Sequence, residues 1–151
     1  MKIKNKKSFT LIELLVVIAV LAGFMALLVP NYMQVRQKSR DVKRKSDLRG
    51  IQKALELYKI NQVAPTPPYP SSLTFGGIGD LKDSNGTYMQ KVPQDPMGST
   101  RSYSYTRGVD TSTYTLCACL ENINDTEGIS VCSGGITCTG TTGIFYKLNE
   151  P

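Results

Sequence analysis

The sequence contains no histidine and no tryptophan among its 151 residues. Without histidine, a Ser-His-Asp or Cys-His nucleophilic site, a histidine-ligated zinc ion and a histidine general base are all excluded. A membrane-anchored hydrolase that works through carboxylates alone is one enzymatic alternative that this absence leaves open. The length suits one domain rather than two.

Positive charge is concentrated near the start of the chain. Four of the 18 basic residues lie within residues 1–8, and eight lie within residues 36–53. Residues 54–151 contain six basic and nine acidic residues, which gives this part a net charge of −3. The overall charge of +6 therefore does not describe the bulk of the chain, and it is poor support for a nucleic-acid-binding domain.

One long hydrophobic run is present, FTLIELLVVIAVLAGFMALLV over residues 9–29, with Glu13 as its single charge. Its length meets the requirement of about 20 residues for a helix that crosses a bilayer. A secretory signal peptide has a shorter apolar region followed by a small-residue cleavage site, and no such site follows Val29. The preceding lysines predict a single-pass protein of the cytoplasmic membrane, with a cytoplasmic N-terminus and an extracytoplasmic C-terminal domain.

Glu13 requires a partner, because an ionised carboxylate within an apolar span is unfavourable. It could lie shallow enough to reach the lipid headgroups. Alternatively, a processed chain that begins at Phe9 would place a positive α-amine four residues away, on the same helix face or against the Glu13 of a neighbouring molecule. The residues by themselves leave both interpretations open.

The segment KKSFTLIELLVV over residues 6–17 resembles the leader and cleavage site of type IV pilins and type II secretion pseudopilins. In that family a membrane peptidase cuts before the phenylalanine and methylates the new amine, and a glutamate five residues into the mature chain guides assembly. The resemblance implies a basic leader over residues 1–8, cleavage between Ser8 and Phe9, N-methylation of Phe9 and an assembly role for Glu13. Ser8 stands where the family nearly always has glycine, and because serine is also small we expect cleavage to proceed.

A helical stripe of apolar residues continues beyond the hydrophobic run and predicts one helix over residues 9–61, roughly 80 Å long. The stripe consists of Tyr32, Val35, Val42, Leu48, Ile51, Leu55 and Tyr58. Residues 9–29 are apolar all round and would be the transmembrane and assembly segment, whereas the later part has one apolar face that needs a domain to pack on. Pro30 lacks the N–H that would bond the carbonyl of Ala26, so we expect a helix kink there.

The basic residues of the predicted helix lie just beyond the hydrophobic run, from Arg36 to Lys53. A solvated face that reaches phospholipid headgroups or acidic neighbours in a fibre is the simpler interpretation. Binding to DNA phosphates is the alternative, but no aromatic residue is interleaved to form a stacking groove. We therefore predict no specific nucleic-acid partner.

Residues 62–151 are expected to form a globular domain with a small antiparallel sheet. The prolines of the segment VAPTPPYPSS, residues 63–72, end the helix and begin an extended connector. Strands are predicted over Ser102–Arg107, Tyr114–Leu120 and Ile144–Leu148. In the middle strand, Tyr114, Leu116, Ala118 and Leu120 share the face that would pack on the helix, and Thr115, Cys117 and Cys119 share the other. The expected fold class is α+β and pilin-like.

The four cysteines, Cys117, Cys119, Cys132 and Cys138, lie in the part predicted to be outside the cytoplasm, where disulfides persist. A bridge between Cys117 and Cys119 is disfavoured, because side chains two apart in a strand are parallel. If the chain folds back after Leu120, Cys119–Cys132 nested within Cys117–Cys138 is preferred. A zinc thiolate site is the rival, although the spacing lacks the usual short pairs of cysteines.

The later part of the chain also resembles the globular domain of the major type II secretion pseudopilin, in the order and spacing of four short motifs. These are Tyr69-Pro70, Val92-Pro93-Gln94-Asp95-Pro96, Tyr103-Ser104-Tyr105 and Tyr114-Thr115-Leu116. The resemblance ends after Leu120, and the calcium-binding C-terminal segment of the family is not recognisable. We therefore expect no metal ligands and no cofactor.

The resemblance implies a structural, non-enzymatic subunit of a type IV pilus or a type II secretion pseudopilus. Its expected partners are further copies of itself, minor pilins, the prepilin peptidase, the inner-membrane assembly machinery and the membrane. After insertion in the cytoplasmic membrane it would enter an extracellular or periplasmic filament. The alternative function is a monomeric, membrane-anchored binding module whose outer domain captures a ligand or DNA.

Overall fold

The structure is a computed structural model that describes residues 9–76, 79–98, 101–132, 138 and 143–151, without the side chains of residues 28–31. The described elements are α1 (Leu11–Ile60), β1 (Leu81–Asp83), β2 (Gly86–Met89), β3 (Ser104–Arg107), β4 (Tyr114–Cys119) and β5 (Phe145–Asn149). The chain divides into two compact units, Met1–Arg36 and Gln37–Pro151. The second part of α1 therefore belongs to the same unit as the strands.

The helix ends where the sequence indicates. α1 stops at Ile60, one residue before the predicted end, and the chain then runs through a turn into the proline-rich segment. Proline disfavours helix both at its own position and at the residue before it, so these prolines prevent α1 from continuing.

The main sheet has three antiparallel strands in the order β3-β4-β5, with β4 in the centre. All three predicted strands are present, with ends that differ by one or two residues. A second sheet, the β1–β2 hairpin, was not predicted. Its strands are only three and four residues long, which is too short for a clear alternation of apolar and polar residues.

The core lies between the second part of α1 and one face of β4. Leu116 and Ala118 of β4 and the following Leu120 are fully buried together with Leu48, Ile51 and Leu55 of the helix. The predicted packing of the helix stripe on the middle strand is therefore confirmed, as is the α+β, pilin-like fold class. Apolar burial of this kind is the main favourable contribution to folding.

The prediction that the apolar stripe faces the domain was wrong for the part of the stripe before Leu48. Val42 was expected to face the domain, but 66% of its surface is exposed. The buried positions before Leu48 are Asp41, Arg44 and Asp47. At about 100° per residue, the six residues from Val42 to Leu48 turn the helix by about 600°, which points the two side chains in different directions. The domain-facing surface is therefore apolar at one end and charged at the other.

Two disulfides hold the segment after β4 against the sheet. They join Cys117 to Cys132 and Cys119 to Cys138, with Cα separations of 6.4 Å and 5.7 Å. The prediction that Cys117 and Cys119 do not bridge each other is confirmed, but the preferred nested pairing was wrong. Between Leu120 and Cys132 the chain passes beside β5, where Ile129 forms an antiparallel bridge with Phe145.

We predict that replacing Cys117 and Cys132 together by alanine lowers the free energy of unfolding by about 2–4 kcal/mol, since that bridge restricts the unfolded chain. Urea denaturation of the detergent-solubilised protein measures the change. Non-reducing peptide mapping of the wild-type protein should recover Cys117 with Cys132 and Cys119 with Cys138. Recovery of the nested pairs would contradict the described connectivity.

Candidate assembly site

The first unit presents an exposed apolar surface along α1. Every large apolar side chain from Phe9 to Leu27 whose exposure is described has at least 48% of its surface exposed. A contiguous apolar surface of this extent marks contact with a membrane or with another protein. The segment predicted to drive assembly is therefore the part of the chain that most needs a partner.

Within the described residues, no single helix is both long enough and apolar enough to span a membrane. The two segments of α1 on either side of residues 28–31, Leu11–Leu27 and Tyr32–Ile60, meet these criteria of length and composition only as a pair.

Glu13 and Thr10 form a capping box at the start of α1. The backbone N–H and the hydroxyl of Thr10 both donate to Oε2 of Glu13, at 2.9 Å and 2.7 Å, and the Glu13 N–H donates to the Thr10 hydroxyl at 3.3 Å. This arrangement satisfies N–H groups that have no partner within a helix. The negative charge also lies at the helix end where the macrodipole favours it.

Thr10 is a residue that the sequence interpretation missed. The sequence nevertheless contains the pattern that predicts this cap, since a Thr followed three positions later by Glu before an apolar run is typical of a capping box. Chemically, the pair keeps a carboxylate at the helix start, one turn from the residue predicted to become the new N-terminus.

A buried group of charges joins the second part of α1 to the rest of its unit. This Arg44 cluster consists of Arg40, Asp41, Arg44, Asp95 and Glu121. Arg44 is completely buried. Its guanidinium donates from Nε and Nη2 to the two carboxylate oxygens of Asp95, at 2.7 Å and 3.0 Å, and from Nη1 to Asp41 and Glu121, each at 2.7 Å.

Two further sets of bonds complete the cluster. Arg40 makes a bidentate pair with Glu121, and the Asp41 carboxylate accepts the backbone N–H groups of Glu121 and Asn122. Hydrogen bonds from Arg40, and then from Arg44, lower the pKa of Glu121 to about 2 although burial opposes the shift. The pKa of Arg44 is raised because these carboxylate bonds outweigh the effect of burial.

These contacts correct the interpretation of the basic run as a solvated face. That interpretation was wrong for Arg40, Arg44 and Lys45, which pair with carboxylates of the domain. Lys45 Nζ lies 2.6 Å from Asp125 and 2.7 Å from Glu127. Sequence reasoning could not find these pairs, because the partners are about 50 to 80 positions apart and nothing in the local pattern links them.

Of the other predicted site residues, Phe9 and the four cysteines lie in the part of the chain that the structure describes. Phe9 is exposed, whereas Ser8 and the side chain of Pro30 lie outside the described part of the chain. All four cysteines are in disulfides. Among the described residues, no group of three or more His, Cys, Asp or Glu side chains is placed to hold a metal ion.

Comparison with known families identifies two consecutive regions of the chain. Residues 3–29 match the prokaryotic N-terminal methylation motif, and residues 31–128 match type II secretion system protein G. The chain belongs to the type II secretion system protein G family. The predicted resemblance to pilins and major pseudopilins is therefore confirmed, and the chain is a structural, membrane-anchored subunit of a pseudopilus. As a family member it acts by polymerising within the type II secretion machinery.

Several curated proteins are similar to this chain. The type II secretion system core protein G of Klebsiella pneumoniae is 35% identical over 101 residues, which cover 64% of this chain and 72% of the relative. The protein of the same name from Pseudomonas aeruginosa is 31% identical, over 68% of this chain and 76% of its own. The type IV wide pilus major component PilA4 of Thermus thermophilus is 36% identical, over 48% and 56%. No solved structure matches the chain.

We predict that Arg44→Ala destabilises the protein by about 3–5 kcal/mol, because Asp41 and Asp95 would remain buried without their cation. Lys38→Ala, at an exposed position of the same helix, should change stability by less than about 0.5 kcal/mol. Urea denaturation compares the two variants. Equal effects would contradict a structural role for the Arg44 cluster.

We predict that acid weakens the fold through Glu121. Its pKa is about 2 in the folded protein against an ordinary value of 4.5. Its contribution is therefore fully present above pH 4.5 and is lost as the pH falls from 4.5 towards 2. Thermal unfolding across this range should show a smaller loss of stability for Glu121→Gln than for wild type. An identical pH dependence in both would contradict this assignment.

Proposed function

We propose that this chain is cut between Ser8 and Phe9, N-methylated at Phe9 and polymerised through residues 9–29 into a type II secretion pseudopilus. The observation that carries the proposal is the joint presence, in one chain, of the N-terminal methylation motif and the protein G region. The exposed apolar side chains from Phe9 to Leu27 supply the surface that polymerisation would cover. The role is structural and not enzymatic.

The proposed topology follows from the same parts of the chain. Residues 1–8 are the cytoplasmic leader, residues 9–29 cross the membrane once within the helix of residues 9–61, and residues 62–151 form the extracytoplasmic domain. The partners would be the prepilin peptidase, minor pilins and the inner-membrane assembly machinery. We also propose that Pro30 kinks the helix, since its missing N–H weakens one turn.

In this proposal Glu13 guides assembly by pairing with the N-methylated amine of Phe9, on its own chain or a neighbour. The capping box supports this role, because Thr10 holds the carboxylate at the start of α1. A carboxylate has about four lone-pair sites, so the bonds from Thr10 leave room for an ammonium donor. The pairing would neutralise two charges that otherwise face an apolar environment.

A type IV pilus is the second candidate, favoured by the likeness to the Thermus thermophilus pilus component. Shearing of intact cells separates the two candidates. A long pilus should be released into the medium, where microscopy and blotting detect it, whereas a short pseudopilus should stay with the cells. Release of long fibres at normal expression would favour the pilus.

We predict that mass spectrometry of the mature protein finds N-methylated Phe9 as the first residue. A matched strain without the peptidase should retain residues 1–8. Recovery of the leader from cells that contain the peptidase would contradict the proposal.

We predict that Glu13→Gln inserts into the membrane but abolishes most filament formation, because glutamine cannot supply the negative charge. Thr10→Val is the matched control, since it removes the hydroxyl of the capping box and keeps the carboxylate. It should assemble better than Glu13→Gln in a filament-yield assay. Equal defects would indicate that Glu13 acts only as a helix cap.

A further inference from the structure

The part of the chain after β4 takes the place of the calcium-binding C-terminal segment of the family. Calcium is therefore the ion against which the residues present here can be tested. It takes about six to eight oxygen ligands, and carboxylates are prominent among them. The contacts of the carboxylates in this part of the chain decide whether such an ion fits.

Few carboxylate side chains are present there. Four follow β4 in the sequence, namely Glu121, Asp125, Glu127 and Glu150. Glu121 is an acceptor in the Arg44 cluster, and the Glu150 carboxylate accepts the backbone N–H of Tyr114 at 2.9 Å. Asp125 and Glu127 therefore remain as the pair that could face one cation.

A lysine ammonium from α1 bridges Asp125 and Glu127. Lys45 Nζ lies 2.6 Å from Oδ1 of Asp125 and 2.7 Å from Oε2 of Glu127. It also lies 5.4 Å from the centre of the Tyr146 ring, which belongs to β5. The side chains of Lys45 and Asp125 are each only 15% exposed. One cation of the helix thus contacts both the segment after β4 and the sheet.

The lysine and the aspartate are both charged at neutral pH. Burial opposes each charge, but the hydrogen bonds of the two groups outweigh it. The pKa of Lys45 is therefore raised above its ordinary value, and the pKa of Asp125 is lowered. Glu127 Oε1 additionally faces Arg49, whose Nη2 lies 3.6 Å away. Cations of α1 therefore balance both carboxylates.

These contacts do not fit a calcium ion. An ion that used the same two carboxylates would lie beside the Lys45 ammonium, where like charges repel. Oδ1 of Asp125 also accepts the N–H of Glu127 at 3.0 Å, and Oδ1 of Asn122 accepts the N–H of Asn124 at 3.2 Å. The oxygens of this segment are thus already used by a lysine and by the backbone of their own turn.

We propose that the Lys45 ammonium performs here the structural task of a bound cation, so that the domain folds without calcium. Because the ammonium is covalently tethered to α1, its contribution does not depend on the concentration of an ion in the medium. The role requires neither processing nor polymerisation of the chain. The inference therefore stands independently of the proposed function.

Other anchors hold the same segment at its two ends. Glu121 begins it within the Arg44 cluster, and the Cys117–Cys132 disulfide ends it. Shortly before that disulfide, Ile129 bridges to Phe145 of β5. Lys45 therefore holds the stretch between Glu121 and Ile129, which these other anchors leave to it.

Thermal unfolding of the full-length protein in detergent tests the calcium independence. The Tm, followed by near-ultraviolet circular dichroism of the tyrosines, should be the same in EGTA, in calcium chloride at about 10 mM and in sodium chloride of equal ionic strength. Extracellular calcium modules have Kd values of about 10⁻⁴–10⁻³ M, so a domain that binds calcium would unfold roughly 5–10 °C higher in that calcium solution. Such a rise in the wild-type protein would overturn the proposal.

Substitution of Lys45 tests the role of the ammonium. Lys45→Met keeps an apolar side chain of similar length and removes the charge, and it should lower the Tm by about 5 °C. Lys53→Met is the matched control, because Lys53 is exposed on the same helix and makes no ion pair in the described part of the chain. It should change the Tm by less than about 2 °C. Equal shifts in the two variants would overturn the role of Lys45.

A thermodynamic cycle separates the ion pairs from the other effects of removing the lysine. In a chain that already carries Asp125→Asn and Glu127→Gln, Lys45→Met should lower the Tm by at most about half as much as in wild type, since its charged partners are gone. The amide oxygen at position 125 can still accept the backbone N–H at position 127, so the turn is kept. Equal losses in the two backgrounds would mean that Lys45 acts through its apolar stem, and they would overturn the proposal.

Discussion

The burial of Arg44 is the constraint on which the arrangement of the C-terminal unit depends. A guanidinium without contact with water needs acceptors for its N–H groups, and losing one partner is costly. Its acceptors come from three separate parts of the chain: Asp41 on the same helix, Asp95 on the loop after β2, and Glu121 just after β4. One side chain therefore fixes the helix, the loop and the sheet relative to each other.

The apolar core and the disulfides work together with this cluster. Leu48, Ile51 and Leu55 bury the helix against β4, but the unit is small and its core is thin. The two disulfides add stability from the opposite face of β4, where they hold the segment that follows Glu121. The central strand is thus fixed on one face by helix packing and on the other by covalent bonds.

The first unit follows the opposite principle, because its apolar surface is left exposed. A subunit that polymerises must keep such a surface until partners cover it. The Thr10–Glu13 capping box explains how a carboxylate is accommodated there: the hydroxyl and N–H of Thr10 satisfy it locally. The same bonds hold the charge at the helix start, where our proposal requires it to meet an amine.

The helix, the three main strands, the apolar segment and the family could all be predicted from the sequence, because each is encoded in local periodicity or in a contiguous motif. The sequence also carried the signal for the Thr10 cap. Only the folded chain shows that Arg44 is buried while Val42 is exposed, and that Cys117 pairs with Cys132. These outcomes depend on partners distant in sequence and on the path of the chain past β5, and no local pattern specifies which distant groups meet.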